Sequence, residues 1–360
     1  MRTPAGATPG AVVLFGSGET AGAGREALRW LDATGRAPRS IVTLETPAGF
    51  ELNAEAVARR WSDFLAKQPE ARGADVAQLP LRRRGTPLSP DNEELARPIL
   101  RADLIALGAG SPSYTVRQLR DTVAWRYLRA SHLTGASLFL ASAAAIAASS
   151  FALPVYEIYK VGDDPHWLDG LGLLEAYGLR LAMVTHWDNA DGGDELDTSR
   201  CFMGRERFAA LLSLLPASAA VVGIDEHTAL ALDPAAGAAH VLGRGAVSVL
   251  CDGREERHPA GSSFPLARLG PFAVPEADSD VTPEVRAALA AARAGRDEPP
   301  REVAALVAQR EDARRLRDWP LADRLRDLVA ARGWGIDDTP DGPELHRAAA
   351  TPIEDDATAP

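Results

Sequence analysis

The sequence predicts a doubly wound, mostly parallel α/β sheet followed by a C-terminal α-helical hairpin. Near-continuous runs of Val, Ile and Leu alternate with amphipathic segments in the first half of the chain. This is the pattern of strands that are covered by helices on both faces of a parallel sheet. Near the C-terminus, two amphipathic stripes are separated by Pro320 and followed by Gly333, which predicts two short helices.

The first five predicted strands are short and strongly apolar, and they begin at Ala11, Ser40, Ala74, Leu104 and Ala136. Helix-like segments lie between them at residues 25–31, 54–65, 93–101 and 116–122. Two further strands begin at Leu179 and Ala219, with a helix predicted at residues 205–215 between them. Residues 238–250 have the pattern of a β-hairpin that turns at Gly243-Arg244-Gly245.

The length of 360 residues suggests about two domains. We expect an α/β domain over residues 10–258 and a linker rich in Pro, Gly and Ala over residues 259–300. The helical hairpin then covers residues 301–347. The last residues, 348–360, have the polar composition of a disordered tail.

The net charge of -11 argues against nucleic acid or an anionic membrane as a general partner, since both would repel the protein. The longest apolar stretch, residues 138–155, is Ala-rich and interrupted by serines, so we expect a buried strand and helix there and no membrane span. The N-terminal apolar run is too short for a secretory signal. The two cysteines lack CxxC spacing, which argues against a disulfide framework and fits a cytoplasmic protein.

The segment LFLASAAAIAAS is a predicted strand that runs directly into a helix, with Ser142 at the junction. A serine at such a turn projects into the crevice at the carboxyl ends of the strands, and nearby backbone N–H groups can stabilise an oxyanion. These are the requirements of an acyl-transfer nucleophile. A small residue selected for tight packing would give the same local pattern.

Two more segments place polar side chains just past predicted strands. VTHWDNADGG contains His186, and VVGIDEHTAL contains Asp225 and Glu226. Serine, histidine and a carboxylate at three strand ends of one sheet can converge although they are far apart in sequence. In such a site His186 would accept the Ser142 proton, and a carboxylate would orient the imidazole.

The order of GSGE, GAGSP, the serine turn, the histidine segment, GIDEHTAL and VLGRG resembles the peptidase E and cyanophycinase family over residues 10–255. This resemblance implies a class I glutamine amidotransferase-like fold and hydrolysis of peptide bonds next to aspartyl residues. It further implies Ser142 as nucleophile, His186 as general base and Glu226 as its orienting carboxylate. Gly110 and Ala143 would supply the oxyanion-hole amides. Candidate substrate-pocket residues are Gly18, Glu19, Ser111, His166, Trp187 and Asn189.

The chain departs from the family pattern at the nucleophile, where Leu140 and Ala144 replace the usual glycines, and at Pro112. Leucine is large for a strained turn, and proline lacks a backbone donor. These departures leave open an alternative to a hydrolase, namely a non-catalytic member of the fold that binds a small ligand or a partner. We expect no cofactor, because the glycines have neither GxGxxG nor P-loop spacing. We expect no metal, because the acidic loop after His186 lacks a calcium-loop pattern.

The C-terminal segment resembles the extreme C-terminus of cysteinyl-tRNA synthetases over about residues 303–347, although the HIGH and KMSKS signatures are absent from the chain. An arginine stripe there could contact tRNA phosphates, and it consists of Arg310, Arg314, Arg317 and Arg324. Residues 301–347 carry nine arginines against ten acidic residues, a local net charge of -1 that favours a self-folding or oligomerising hairpin. The expected partner is a small-molecule or peptide substrate, with tRNA association and a homo-oligomer left open.

Overall fold

The computed structural model describes residues 8–251, 253–276, 281–294, 299, 301–339 and 342–347. The chain divides into two compact units, Met1–Ala290 and Ala291–Pro360. The division falls inside the segment that was expected to be a linker. The predicted disordered tail, residues 348–360, lies outside the described residues.

The strands are short, most of them four to six residues long. They are β1 (Val12–Phe15), β2 (Ser40–Leu44), β3 (Asp75–Leu79), β4 (Leu104–Leu107), β5 (Ser137–Ala141), β6 (Phe151–Ala152), β7 (Leu168–Asp169), β8 (Leu181–Val184), β9 (Ala220–Ile224), β10 (Thr228–Asp233), β11 (Ala238–Gly243), β12 (Ala246–Cys251), β13 (Arg254–Pro259), β14 (Ser263–Pro265), β15 (Trp334–Thr339) and β16 (Gly342–Arg347).

The α-helices connect these strands or follow them. They are α1 (Gly22–Ala33), α2 (Ala54–Ala66), α3 (Glu93–Ala96), α4 (Pro112–Leu119), α5 (Val123–Leu133), α6 (Ala143–Ala147), α7 (Gly204–Ser213), α8 (Pro283–Arg293), α9 (Arg301–Arg315) and α10 (Trp319–Ala330). A π-helical turn at Glu157–Val161 follows β6. Among the described residues, no helix combines the length and the apolar character that crossing a membrane requires.

The first unit is built on an eight-stranded sheet with the order β14-β11-β10-β1-β5-β4-β2-β3. Strands β1 to β5 pair in parallel, and β10, β11 and β14 extend the sheet in antiparallel fashion. The predicted fold class, a mostly parallel α/β sheet with a C-terminal helical hairpin, is confirmed. The first part of the expected linker is also structured, because β14 is an edge strand of this sheet.

A second sheet has the order β13-β12-β9-β8. The predicted hairpin over residues 238–250 is wrong, because β11 pairs with β10 and β14 in the first sheet, whereas β12 pairs with β9 and β13 in the second. The glycines of the Gly-Arg-Gly stretch allow the chain to cross between the sheets at close range. A Cβ on Gly243 would lie 2.3 Å from the His227 carbonyl oxygen, and one on Gly245 would lie 2.7 Å from the Asp225 Cβ.

The core beside the first sheet is formed where α1 and α2 pack on its strands. Leu28, Leu31 and Leu65 are fully buried against Phe15 and Phe139. Burying a side chain of this size contributes about 1.5–3 kcal/mol each. The regularly spaced apolar residues that predicted these helices therefore also pack the helices on the sheet. This packing fixes the positions of the strand ends.

The C-terminal unit contains the predicted pair of helices, α9 and α10, and also a two-stranded sheet of β15 and β16 that was not predicted. The buried guanidinium of Arg310 donates to both carboxylate oxygens of Asp338 at 2.9 and 2.8 Å. Arg314 also pairs with Asp338. These arginines therefore connect α9 to β15 within the unit.

Candidate active site

Ser142 lies between the end of β5 and the start of α6, with φ 50° and ψ -111°. This backbone conformation is costly for a residue other than glycine, by about 1–3 kcal/mol, and it persists only where the surroundings enforce it. One constraint is the Ser142 N–H, which donates to the Phe15 carbonyl at 3.0 Å. The turn directs the side chain out of the sheet, as in the nucleophile elbow of serine hydrolases.

The two residues that depart from the glycine pattern are accommodated inside the protein. Leu140 lies in β5, in register with Leu14 and Leu107, and is 1% exposed. Ala144 is 2% exposed in α6. Among the described residues, neither side chain lines the cavity in front of Ser142.

His186 follows β8 and also has a positive φ of 50°. Its Nε2 lies 3.0 Å from Ser142 Oγ, and its Nδ1 lies 2.9 Å from Glu226 Oε1. Because a carboxylate can only accept here, Nδ1 donates to Glu226, and Nε2 is left to accept from the serine hydroxyl. Glu226 follows β9, so the three strand ends belong to two sheets and not to one as the sequence suggested.

Two neighbouring side chains hold Glu226. Asn189 Nδ2 donates to Glu226 Oε1 at 3.0 Å, and the Glu226 backbone N–H donates to Asp188 Oδ1 at 2.7 Å. Burial raises the pKa of Glu226, but the hydrogen bonds from Asn189 and His186 outweigh it and hold that pKa below its ordinary value. Glu226 is therefore ionised near neutral pH and fixed in the orientation that His186 needs.

The backbone behind His186 contains three consecutive residues with positive φ, Arg200, Cys201 and Phe202. The Cys201 N–H donates to the His186 carbonyl at 3.1 Å. The Arg200 guanidinium lies 3.7 Å from the ring centroid of Trp187, a cation–π contact. Burial raises the pKa of the Cys201 thiol to about 12, so this cysteine is protonated and unsuited to act as a nucleophile.

A cavity of about 340 Å³ opens in front of Ser142 and His186. Gly110 and Ala143, the two residues expected to offer oxyanion-hole amides, both line it. Aromatic side chains form much of the wall, and one cation and one anion, Lys160 and Asp191, line it as well. A cavity of this size with few charged groups suits a small organic ligand or part of a peptide.

None of the six candidate substrate-pocket residues is among the described residues that line this cavity. Ser111 lines a neighbouring cavity, and Glu19 lines a third, smaller one. Trp187 is buried against Phe208, and Asn189 is bonded to Glu226. Of the remaining two, Gly18 turns with φ 79°, and the His166 side chain bonds the Asp164 carbonyl through Nδ1.

Several residues of this site were not found from the sequence. Asp188 and Asp191 belong to the acidic loop after His186, for which the sequence predicted no role; Asp188 accepts from the Glu226 backbone N–H, and Asp191 lines the cavity. Lys160 and Tyr159 belong to the π-helical turn, which has no sequence signal of its own. Within the described part of the chain, no group of three or more His, Cys, Asp or Glu side chains could hold a metal ion.

Comparison with solved structures relates the fold to a peptidase. The crystal structure of a peptidase from an acI-B1 Actinobacterium superposes with a TM-score of 0.58 and 24% identity, over 72% of this chain and 98% of that chain. The likeness is one of fold, and it confirms the resemblance seen in the sequence at that level. No protein-family model matches the chain.

Comparison with curated proteins finds cysteine–tRNA ligases over a short stretch of about 50 residues, consistent with the resemblance of the C-terminal segment. A cysteine–tRNA ligase of Rubrobacter xylanophilus is 56% identical over 50 residues, which are 14% of this chain and 11% of the ligase. A cysteine–tRNA ligase of Methanosarcina mazei is 39% identical over 57 residues, which are 16% of this chain and 12% of the ligase. The chain thus spans about a tenth of the length of these relatives, and the second resemblance is confirmed for that segment.

Proposed function

We propose that the chain is a serine hydrolase that cleaves a peptide or amide bond, with aspartyl-containing peptides as the first substrates to test. The observation that supports this most directly is the hydrogen-bonded series Ser142 Oγ, His186 Nε2 and Nδ1, and Glu226 Oε1, with distances of 3.0 and 2.9 Å. The strained turn at Ser142 and the adjacent cavity add to it.

In the proposed reaction Ser142 Oγ attacks the carbonyl carbon of the scissile bond and transfers its proton to His186 Nε2. Glu226 holds the Nδ1 proton and stabilises the imidazolium that forms. Backbone N–H groups of Gly110 and Ala143 donate to the oxyanion. His186 then protonates the leaving amine, and a water molecule activated by the same imidazole hydrolyses the acyl-enzyme.

The environment of the serine favours this proposal over a non-catalytic binding protein. The alternative would be supported by Leu140 or Trp187 filling the space between Ser142 and His186. Both side chains are 1% exposed in the core, and the hydroxyl and the imidazole are in hydrogen-bond contact. Lys160 lines the cavity and supplies a cation for an aspartyl carboxylate, which is the support for aspartyl peptides.

Reaction with a fluorophosphonate probe tests the proposal, because the probe modifies only serines that are activated as nucleophiles. We expect the wild-type protein to gain one label and Ser142→Ala to gain none. His186→Ala should slow labelling by about 100-fold or more, because general-base assistance is lost. Intact-protein mass spectrometry and peptide mapping give the readout.

The matched control is Ser150→Ala, a serine of the same segment that does not line the cavity. It should label at the wild-type rate. A wild-type protein that is folded by circular dichroism but gains no label would contradict the hydrolase proposal. Labelling that persists in Ser142→Ala would place the reactive serine elsewhere.

The C-terminal unit offers a second candidate function, tRNA association, whose support is the short match to cysteine–tRNA ligases. Two of the four arginines proposed for phosphate contact, Arg310 and Arg314, are engaged with Asp338 inside the unit. Phosphate binding would have to compete with this carboxylate. We therefore propose that these two arginines stabilise the unit, which favours a self-folding module over a tRNA-binding one.

A further inference from the structure

A second cavity, of about 810 Å³, lies beside the cavity of Ser142. Tyr156 lines both of them. The segment that follows β4 also borders both, since Gly110 and Pro112 line the first cavity whereas Ser111 and Ser113 line the second. A substrate whose scissile bond lies at Ser142 can therefore extend past Tyr156 into the second cavity.

Two cations line the second cavity. They are Arg83 and Arg117, and both guanidinium groups act on Tyr114: burial raises the pKa of this tyrosine, while the two cations lower it. The Arg117 guanidinium lies 5.4 Å from the centroid of the Tyr114 ring. Within the described part of the chain, neither arginine makes an ion pair with a carboxylate. Two exposed cations beside one buried ring are available for an anionic group of a ligand.

Two carboxylates, Glu157 and Glu51, line the cavity close to Tyr156. Glu157 accepts a hydrogen bond from Ser113 Oγ at its Oε1. Its Oε2 is buried and has no hydrogen-bond partner among the described residues, and a buried acceptor of this kind requires a donor. Burial raises the pKa of Tyr156, and the nearby Glu51 carboxylate raises it further, which places a second anion close to this tyrosine.

We propose that the second cavity binds the leaving group of the hydrolysis, as an amino acid or short peptide with a free α-carboxylate. This proposal rests on the proposed function for the identity of the scissile bond. The carboxylate pairs with Arg83 and Arg117, and the nitrogen released from the scissile bond lies near Tyr156, where Glu157 accepts from it. The exposed ring of Phe50, 5.1 Å from Tyr114 between centroids, offers an apolar surface to the side chain of the leaving group.

The order of charges agrees with the chemistry of peptide cleavage. The scissile nitrogen is the atom of the leaving group closest to Ser142, so it emerges beside Tyr156, which lines both cavities and has the carboxylates close to it. The α-carboxylate is farther along the chain and reaches the arginines. The substrate is then a peptide that is cut close to its C-terminus. A peptide with an amidated C-terminus, or with a long segment after the scissile bond, would lose the contact with the arginines.

Binding of Leu-Phe to the full-length Ser142→Ala protein tests this without requiring turnover. Isothermal titration calorimetry should give a Kd for Leu-Phe at least about tenfold below that for Leu-Phe amide, because the amide cannot form charge-assisted hydrogen bonds with the arginines. Replacing both arginines (Arg83→Gln with Arg117→Gln) should remove this difference. Acetyl-Leu-Phe should bind more weakly than Leu-Phe, and Glu157→Gln should reduce that second difference.

The matched control is Arg101→Gln, an exposed arginine that does not line this cavity, which should keep the full preference. Equal affinities for the acid and the amide, no binding of either, or a preference that survives in the double arginine variant would each overturn the proposal. Failure of the proposed function is a separate result, since it is read from fluorophosphonate labelling of the wild-type protein. If the wild-type protein is labelled but the Ser142→Ala protein shows no preference for the free carboxylate, the hydrolase proposal stands and the leaving-group site is contradicted.

Discussion

Two histidines of the first unit have the same pattern of hydrogen bonds and very different surroundings. His186 accepts from the hydroxyl of Ser142 at Nε2 and donates from Nδ1 to Glu226. His132 accepts from the hydroxyl of Tyr177 at Nε2, at 2.7 Å, and donates from Nδ1 to the Ala136 carbonyl at 3.2 Å. The tautomer is therefore the same in both.

The difference lies in the acceptor at Nδ1 and in the access of solvent. The His186 side chain is 22% exposed, it borders a cavity, and its Nδ1 faces a carboxylate that can stabilise an imidazolium. His132 is 1% exposed, and its Nδ1 faces a neutral carbonyl. Burial lowers the pKa of His132 to about 4. A hydroxyl–imidazole pair can thus serve proton transfer at one position and only structure at the other.

The largest expected effect comes from removing the charge at Glu226. Glu226→Gln keeps the shape of the side chain, but its amide can donate to His186 Nδ1 and so favours the wrong tautomer. We expect kcat/KM for an aspartyl peptide to fall by about 1,000-fold or more, which corresponds to about 4 kcal/mol in the barrier. Steady-state kinetics and the rate of fluorophosphonate labelling both report it.

The control for this prediction is the free energy of unfolding, which should change little because Glu226 is partly exposed. Activity of Glu226→Gln within about tenfold of wild type would indicate that the carboxylate is not part of the proton-transfer system. His186 would then resemble His132 in function as well as in hydrogen bonding, and Glu226 would have no place in the hydrolase proposal.

The next effect concerns stability and belongs to His132. Its folded-state pKa of about 4 lies below the ordinary value of 6.5, so below pH 6.5 the unfolded chain binds a proton that the folded protein does not. Stability should therefore fall as the pH falls from 6.5 to 4, by about 3 kcal/mol from this group. Urea unfolding at a series of pH values measures this change.

His132→Gln is neutral at all pH values and should flatten that part of the profile, while the same change at His166, a histidine near the surface, should leave it intact. An unaltered slope in His132→Gln would show that another group carries the acid sensitivity. Fluorophosphonate labelling of the folded His132→Gln protein should match wild type, which is the contrast expected between a structural and a catalytic imidazole.

The sequence was sufficient for the main sheet because its strands are marked locally. Parallel strands that are covered on both faces need continuous apolar runs, and the strand predicted from Ala136 is observed as Ser137–Ala141. Membership of the second sheet could not be predicted, because β8 and β9 are equally apolar and pairing is decided by contacts far apart in sequence. The pairing of β15 with β16 was missed for a related reason, since half of their residues are polar or charged and three more are Gly or Pro.

The site was predictable to the extent that its residues follow strands within recognisable segments. Ser142, His186 and Glu226 met this condition, and the structure brings them into hydrogen-bond contact. The residues of the second cavity did not meet it, because Glu51 and Arg83 come from two loops and Glu157 from the π-helical turn, with no common spacing. A charge in a loop gives no sequence signal of the cavity that it faces.

The smallest of the three effects tests how Glu226 is held. Asn189 was expected in the substrate pocket, yet it is buried and donates to Glu226 Oε1, whereas the Ala136 carbonyl at His132 is fixed by the backbone. We infer that Asn189 is a positioning residue. Asn189→Ser should lower kcat by about tenfold with little change in KM, because the carboxylate loses a hydrogen bond of about 1–1.5 kcal/mol and some of its orientation. Asn189→Gln, which keeps the amide, should recover part of the rate. A rise in KM at constant kcat would instead indicate that Asn189 binds substrate, as the sequence suggested.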